Sequence, residues 1–249
     1  ALFVPEGSLI TLRLYGEVGA LALSETVSGR TLFASASSTA HDFKVIQDGE
    51  LSIDGPNGRN WSVSVVPDIP PIVATLEGID SDALGVMTLP FSAGDDYGVK
   101  SGEAWITLDL VGAPRRHGLS VSPEARPQLT VSLPMPVVGD RSGFEENLVE
   151  DFSKHPWANL PVVLNLTVLD AAEQQSRSEP SALLLPGRRF FDPMAAAIIE
   201  QRRDLLWSRA NAQRISQILR AISHPPEDAF RNEVTQLRLR KLIERLETW

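Results

Sequence analysis

Apolar and polar residues alternate near the start of the chain. Ile10, Leu12 and Leu14 fall on one side and Thr11, Arg13 and Tyr15 on the other, the two-residue period of a half-buried strand. The pattern predicts further short strands over residues 31–34, 42–47 and 51–53, with the turn dipeptides Asp48-Gly49 and Asn57-Gly58 between them. Trp61, Val63 and Val65, alternating with Ser62 and Ser64, close the unit. Short strands separated by closely spaced turns describe a small antiparallel β-sandwich.

Prolines at positions 67, 70 and 71 withhold amide donors and keep the backbone extended, so residues 67–71 read as a stiff linker. A second β pattern starts at Ile72, with strands predicted over 86–91, 103–110, 128–133, 161–170 and 181–185. Val162, Leu164, Leu166 and Val168 make one face of the fourth strand wholly apolar, and Val163 and Leu169 add to the other face, as in a central strand. Residues 112–127, rich in Gly, Pro, Arg and Ser, read as a long loop. Phe144, Leu148 and Phe152, four apart, predict a short helix between 142 and 155 that crosses an end of the sandwich.

Beyond Arg188 the period becomes helical. Asp192 before Pro193 is a start signal, because the carboxylate accepts from first-turn amides and proline at the first helical position sacrifices no bond. The first helix is predicted over 193–207. A second carries Ile215, Ile218, Leu219 and Ile222 and stops before Pro225. A third carries Phe230, Val234, Leu237, Leu242 and Leu246. So few helical residues seldom hold a core alone, so they either dock on the second sandwich or await partners elsewhere. The expected fold is mainly β: two tandem immunoglobulin-like antiparallel β-sandwiches (1–66 and 72–187) joined by the 67–71 linker, then an Arg-rich segment of about three helices (188–249).

The chain has 249 residues, 43% hydrophobic and 22% charged, an ordinary globular composition with room for two cores. Its net charge of −9 argues against binding nucleic acid through the molecule as a whole. The charge is uneven: from Arg188 onward 12 basic residues face 8 acidic ones, a balance of +4, which leaves −13 on residues 1–187. No cysteine is present, so disulfides, thiolate metal sites and thiol nucleophiles are excluded. The apolar stretch at 160–169 falls far short of a bilayer span. Both ends of the chain read as cut points within a longer protein.

Three segments in this order, Phe91 to Val99 (FSAGDDYGV), His155 to Pro161 (HPWANLP) with the strand after it, and Phe191 to Arg203 (FDPMAAAIIEQRR), resemble the large alphaproteobacterial membrane proteins of domain-of-unknown-function family 4175. That resemblance implies a place, the periplasmic side of the bacterial inner membrane with anchoring through regions outside this chain. It implies no reaction and no catalytic residues. The strands also look like bacterial immunoglobulin-like repeats, without the Cys, Trp, Cys core of antibody domains.

No G-x-S-x-G, glycine-rich phosphate loop or convergent histidine set occurs, so neither an enzyme nor a cofactor is expected. Asp95 and Asp96, with Asp80, Asp82 and Asp170, form the one metal candidate, an oxygen site for calcium, against the alternative of an ordinary capped turn. Trp157 is the candidate for stacking on a cell-wall glycan, against a role plugging the sandwich end. Arg202 and Arg203 lead the basic residues offered to an acidic partner or lipid headgroups, against a solvated face of local ion pairs. The expected role is a non-catalytic scaffold that contacts protein, within the same membrane protein or the cell envelope. A calcium- or glycan-binding module is the alternative.

Overall fold

The computed structural model describes residues 1–17, 19–30, 38–224 and 232–248, so the strand expected at 31–34 and Phe230 lie outside the described residues. The chain divides into two compact units, Ala1–Pro70 and Pro71–Trp249.

The first unit contains β1 (Leu2–Pro5), β2 (Leu9–Arg13), β3 (Ala22–Glu25), β4 (Ala40–Lys44), β5 (Gly49–Asp54) and β6 (Arg59–Val66). One sheet runs β1-β6-β5-β3 and the other pairs β2 with β4. The alternation along β2 and β6 places their apolar residues inward, where Phe43, Val45, Leu51 and Val63 form the core. Asn57 takes the left-handed conformation that the turn between β5 and β6 requires. One pairing is not antiparallel: β1 runs parallel to β6, from Leu2 opposite Val63 to Pro5 opposite Val66.

The second unit begins with β7 (Ile72–Thr75), β8 (Asp80–Ser81), β9 (Val86–Gly94), β10 (Ser101–Leu108) and β11 (Leu129–Ser132). It continues with β12 (Gly143–Asp151), β13 (Pro161–Leu169), β14 (Gln175–Arg177) and β15 (Ser181–Leu184). Strands β12-β9-β7 make one sheet, with β8 added to β9; β11-β10-β13 make the other, with β14 and β15 both along β13. This distribution of strands over two facing sheets is that of an immunoglobulin-like sandwich. β13 is central, as its doubly apolar pattern predicts. Its last neighbour is interrupted between β14 and β15. Ser178 bridges the gap, donating its amide to Leu166 O at 2.8 Å and accepting the Leu166 amide at its hydroxyl at 2.9 Å.

The helix expected between 142 and 155 is instead strand β12, paired with β9 from Gly143 opposite Gly94 to Asp151 opposite Val86. Phe144 and Leu148, four apart, share a face of a helix, but they also share a face of a strand because four is a multiple of two. Nine registered partners on β9 decide between the two.

The helices are α1 (Pro193–Trp207), α2 (Ala212–Ile222) and α3 (Glu233–Glu247). Asp192 caps α1, its Oδ2 accepting the Ala195 amide at 2.8 Å. α2 and α3 pack through Ile215, Leu219, Leu239, Ile243 and Leu246. Val234, Leu237 and Leu242, expected inside, are exposed. α3 carries two apolar stripes, and the one that meets α2 is the buried one.

The helical segment is joined to the sandwich. Trp207, 3% exposed, belongs to the same core as Leu119, Phe91 and Leu164, and its indole donates to Val121 O at 2.8 Å. Around it the 112–127 loop supplies a ladder of bonds: Glu124 N to Trp207 O (2.7 Å), Arg126 to Leu206 O (2.9 Å), and Asn211 Nδ2 to Gly118 O (2.8 Å). Gly118 packs so closely on the Asp204 carboxylate that a Cβ there would overlap it. None of the described helices is long and apolar enough to cross a membrane.

Candidate functional site

The turn after β9 places Asp95 inside and Asp96 outside. Asp95 is buried; its Oδ2 accepts the Tyr97 amide at 3.0 Å, its own amide donates to Ser142 O at 2.9 Å, and its carbonyl accepts from Gly98. This is a side-chain-capped turn. Asp80 and Asp82 do not approach it, because Asp80 is registered opposite Thr88 and the Asp82 carboxylate accepts the Val86 amide, at the far end of β9. Asp170 follows β13 at the Asp95 end, since the preceding Leu169 carbonyl accepts from Lys100, and its Oδ1 accepts the Gln174 amide at 2.8 Å. Among the described residues, no three Asp, Glu or His side chains converge as metal ligands.

Trp157 is 6% exposed and lies in the main core, so neither ring face is available to a sugar. His155 packs edge-on against it at 5.0 Å and accepts the Trp157 amide at Nδ1, 3.1 Å away. That bond leaves the ring proton on Nε2. Burial, with the Arg126 guanidinium nearby, holds the imidazole below its ordinary pKa of 6.5.

The segment that carries Trp157 has a second surface. Ser153, Lys154, His155, Pro156, Ala158 and Asn159, with Arg188, Phe190 and three residues of α1, Ile199, Arg202 and Arg203, line a cavity of about 380 Å³ within the second unit. Four lining side chains are cationic, Lys154, Arg188, Arg202 and Arg203, and none of the lining residues is acidic. Arg203 is ion-paired to Asp204 at 3.1 Å. Arg202 anchors on the Lys154 carbonyl at 2.7 Å, and Arg188 lies over the Phe190 ring at 5.7 Å. Gly85, at φ +90°, lets the backbone at Arg188 come within 2.7 Å of where a Cβ would stand, which fixes the base of that side chain. Beside Lys154, the Ser153 hydroxyl and amide hold the Asp151 carboxyl below the usual carboxylate range, and Lys154 adds to the effect.

The other helical arginines divide differently. Arg214 meets Asp204 at 3.0 Å, Arg240 meets Glu244 one turn on at 3.2 Å, and Arg220 pairs with Glu247. Arg240–Glu244 is the local pair that interleaved charges predict, whereas the pairs of Arg214 and Arg220 join different helices and depend on packing. Sequence reasoning named Arg202 and Arg203 but not Lys154, Asn159 or Phe190 as their neighbours. The signal available was proximity of basic residues to two of the three family-like segments, 155–161 and 191–203, which meet at this cavity.

No curated protein matches the chain. Among solved structures, a DUF3823 family protein from Bacteroides ovatus is 8% identical, covering 72% of this chain and 99% of that one, with a TM-score of 0.28. A DUF3823 family protein from Parabacteroides merdae is 11% identical, covering 73% and 99%, also at 0.28. The FN1-FN3 domains of chicken CNTN1 are 7% identical, covering 75% and 62%, at 0.29. Likenesses at these scores carry neither ligand nor partner across. The family comparison reaches further: the model of the Domain of unknown function (DUF4175) matches residues 1–249, and the chain belongs to that family.

Proposed function

We propose that this chain is a non-catalytic interaction region on the periplasmic side of a larger alphaproteobacterial membrane protein. In this reading the sandwiches are spacers, and the helices contact the rest of that protein or an envelope partner. The observation that supports the reading is the junction at Trp207 and Asp204. A helical segment bound into the sandwich core is held in one orientation, while Val234, Leu237 and Leu242 of α3 stay exposed. A scaffold needs that combination of fixed placement and open surface. The resemblance to the membrane-protein family supports the compartment.

The test is photo-crosslinking in the source cell from a reactive amino acid at Leu237 or Leu242, with exposed Val149 on β12 as the control. A discrete crosslinked protein, or a discrete intramolecular product, from the helix positions and not from Val149 is expected. Equal, diffuse products from all three positions would overturn the proposal. A β-lactamase fused within the source protein beside this region should confer resistance; an inactive but intact fusion removes the periplasmic placement.

A further inference from the structure

The cavity between the 153–159 loop and α1 does not follow from a scaffold role. Like charges gathered on one surface repel one another; Lys154, Arg188 and Arg202 are exposed there and Arg203 is half-buried. Of the four cations there, Arg203 is matched by Asp204, and Lys154 has the Asp151 carboxylate within electrostatic reach. Arg188 and Arg202 have no acidic partner among the described residues. Residues 1–187 carry a net −13 and residues 188–249 a net +4, so the positive charge gathers where the basic segment meets the 153–159 loop.

The cations are also held in place. They come from three separate stretches of chain: the turn after β12, the segment after β15 and the middle of α1. Arg202 is tied to a backbone carbonyl and Arg188 rests on an aromatic ring, so ordering them costs a ligand little. His155 contributes a neutral ring with its tautomer fixed. Phe190, Ile199, Pro156 and Ala158 give the cavity an apolar wall, and its volume falls at the small end of the roughly 300–1,000 Å³ typical of ligand pockets.

We infer that this cavity is a binding site for a phosphate monoester whose ester group is apolar. A carboxylate is satisfied by one bidentate guanidinium, whereas a phosphate monoester presents three oxygens and up to two charges, and so can use guanidinium and ammonium groups converging from separate elements. The apolar wall takes the esterified group. Such a phosphate belongs either to a lipid headgroup or to a soluble ester, and the chemistry recognised is the same. The inference stands apart from the interaction role proposed above.

Amide chemical shifts of the chain would be followed during titration with phenyl phosphate at constant ionic strength. Shifts clustered at 153–159, 188–190 and 199–203 are expected. Arg188→Gln, which removes no backbone bond, and Lys154→Gln should each weaken binding about tenfold or more, while Arg189→Gln, outside the lining, should leave it unchanged. Vesicles of phosphatidic acid in phosphatidylcholine separate the sources: sedimentation of the protein, competed by phenyl phosphate, identifies a headgroup, and no sedimentation identifies a soluble ester. The inference is overturned if phenyl phosphate causes no clustered shifts, or if phenylacetate or sodium sulfate acts equally. Equal weakening by Arg189→Gln, or binding of polyglutamate alone, overturns it as well.

Discussion

The first sandwich buries Leu23, Val27, Phe43, Val45, Leu51 and Val63 and, among the described residues, no polar side chain. The second closes over a core of twenty buried residues and also buries Asp95, Thr167, Asp170 and Ser178, with Gln201, Asp204, Ser208, Asn211 and Ser216 in its helical segment. Burying a polar group is costly unless its bonds are remade. Where those bonds are remade, as for Ser178 and Asn211, polar burial marks places that only one arrangement satisfies; Asp170 Oδ2 and Gln201 Oε1 are buried without a hydrogen-bond partner. The first sandwich is a small packed unit with little of that specificity. In the second, specificity concentrates where α1 and α2 meet the 112–127 loop.

The sharpest way to break the comparison is to remove one large core residue from each unit. Trp207→Ala should cost about 3–5 kcal/mol in urea unfolding, and Trp207→Phe about 1 kcal/mol for the lost bond to Val121. Phe43→Ala should cost a similar amount, but against a core of six residues it should abolish dispersed amide signals from residues 1–70 while leaving the second unit folded. If Phe43→Ala leaves the first unit intact, the contrast in core size is not what limits it.

Asp204→Ala removes the partner of Arg203 and Arg214 at the junction and should cost about 1–3 kcal/mol, with Asp204→Asn recovering part of the loss. Equal stability of wild type and Asp204→Ala would show that apolar packing alone holds the helices. At the opposite end of the sandwich, Asp95→Ala should cost about 1 kcal/mol and Asp96→Ala less than about 0.5 kcal/mol in the same assay. Comparable losses would mean that the exposed carboxylate also has a structural role.

The smallest effect is a pH dependence. His155 has its folded pKa below the ordinary 6.5, so the stability held by the neutral ring is fully present above that value. It is lost as pH falls through the folded pKa. Thermal melts from pH 7.5 to 5 should show a decline in the wild type that is reduced in His155→Gln. Identical declines would assign the dependence to other groups.

Much of the fold was legible in the chain. The alternation at Trp61–Val65, the doubly apolar β13 and the Asp192-Pro193 start of α1 each state a local preference that the tertiary structure honours. β12 was not legible because its apolar spacing fits two periods, and the buried stripe of α3 was not because two stripes compete. The cavity was half legible: Arg202 and Arg203 stood out as basic residues, but nothing local tells that Lys154 and Arg188 face them from positions far away in sequence.

Strand periodicity, the turn residues, the helix cap and the change of charge near residue 188 follow from interactions among near neighbours, so the sequence determines them by itself. Three features were decided only by long-range packing. Trp207 enters the sandwich core instead of a helix–helix seam, Asp80 and Asp82 lie a full strand length from Asp95, and basic residues from three separated stretches share one cavity. The physical reason is common to all three: each depends on which surfaces meet once the sheets are paired, and no local preference records that choice.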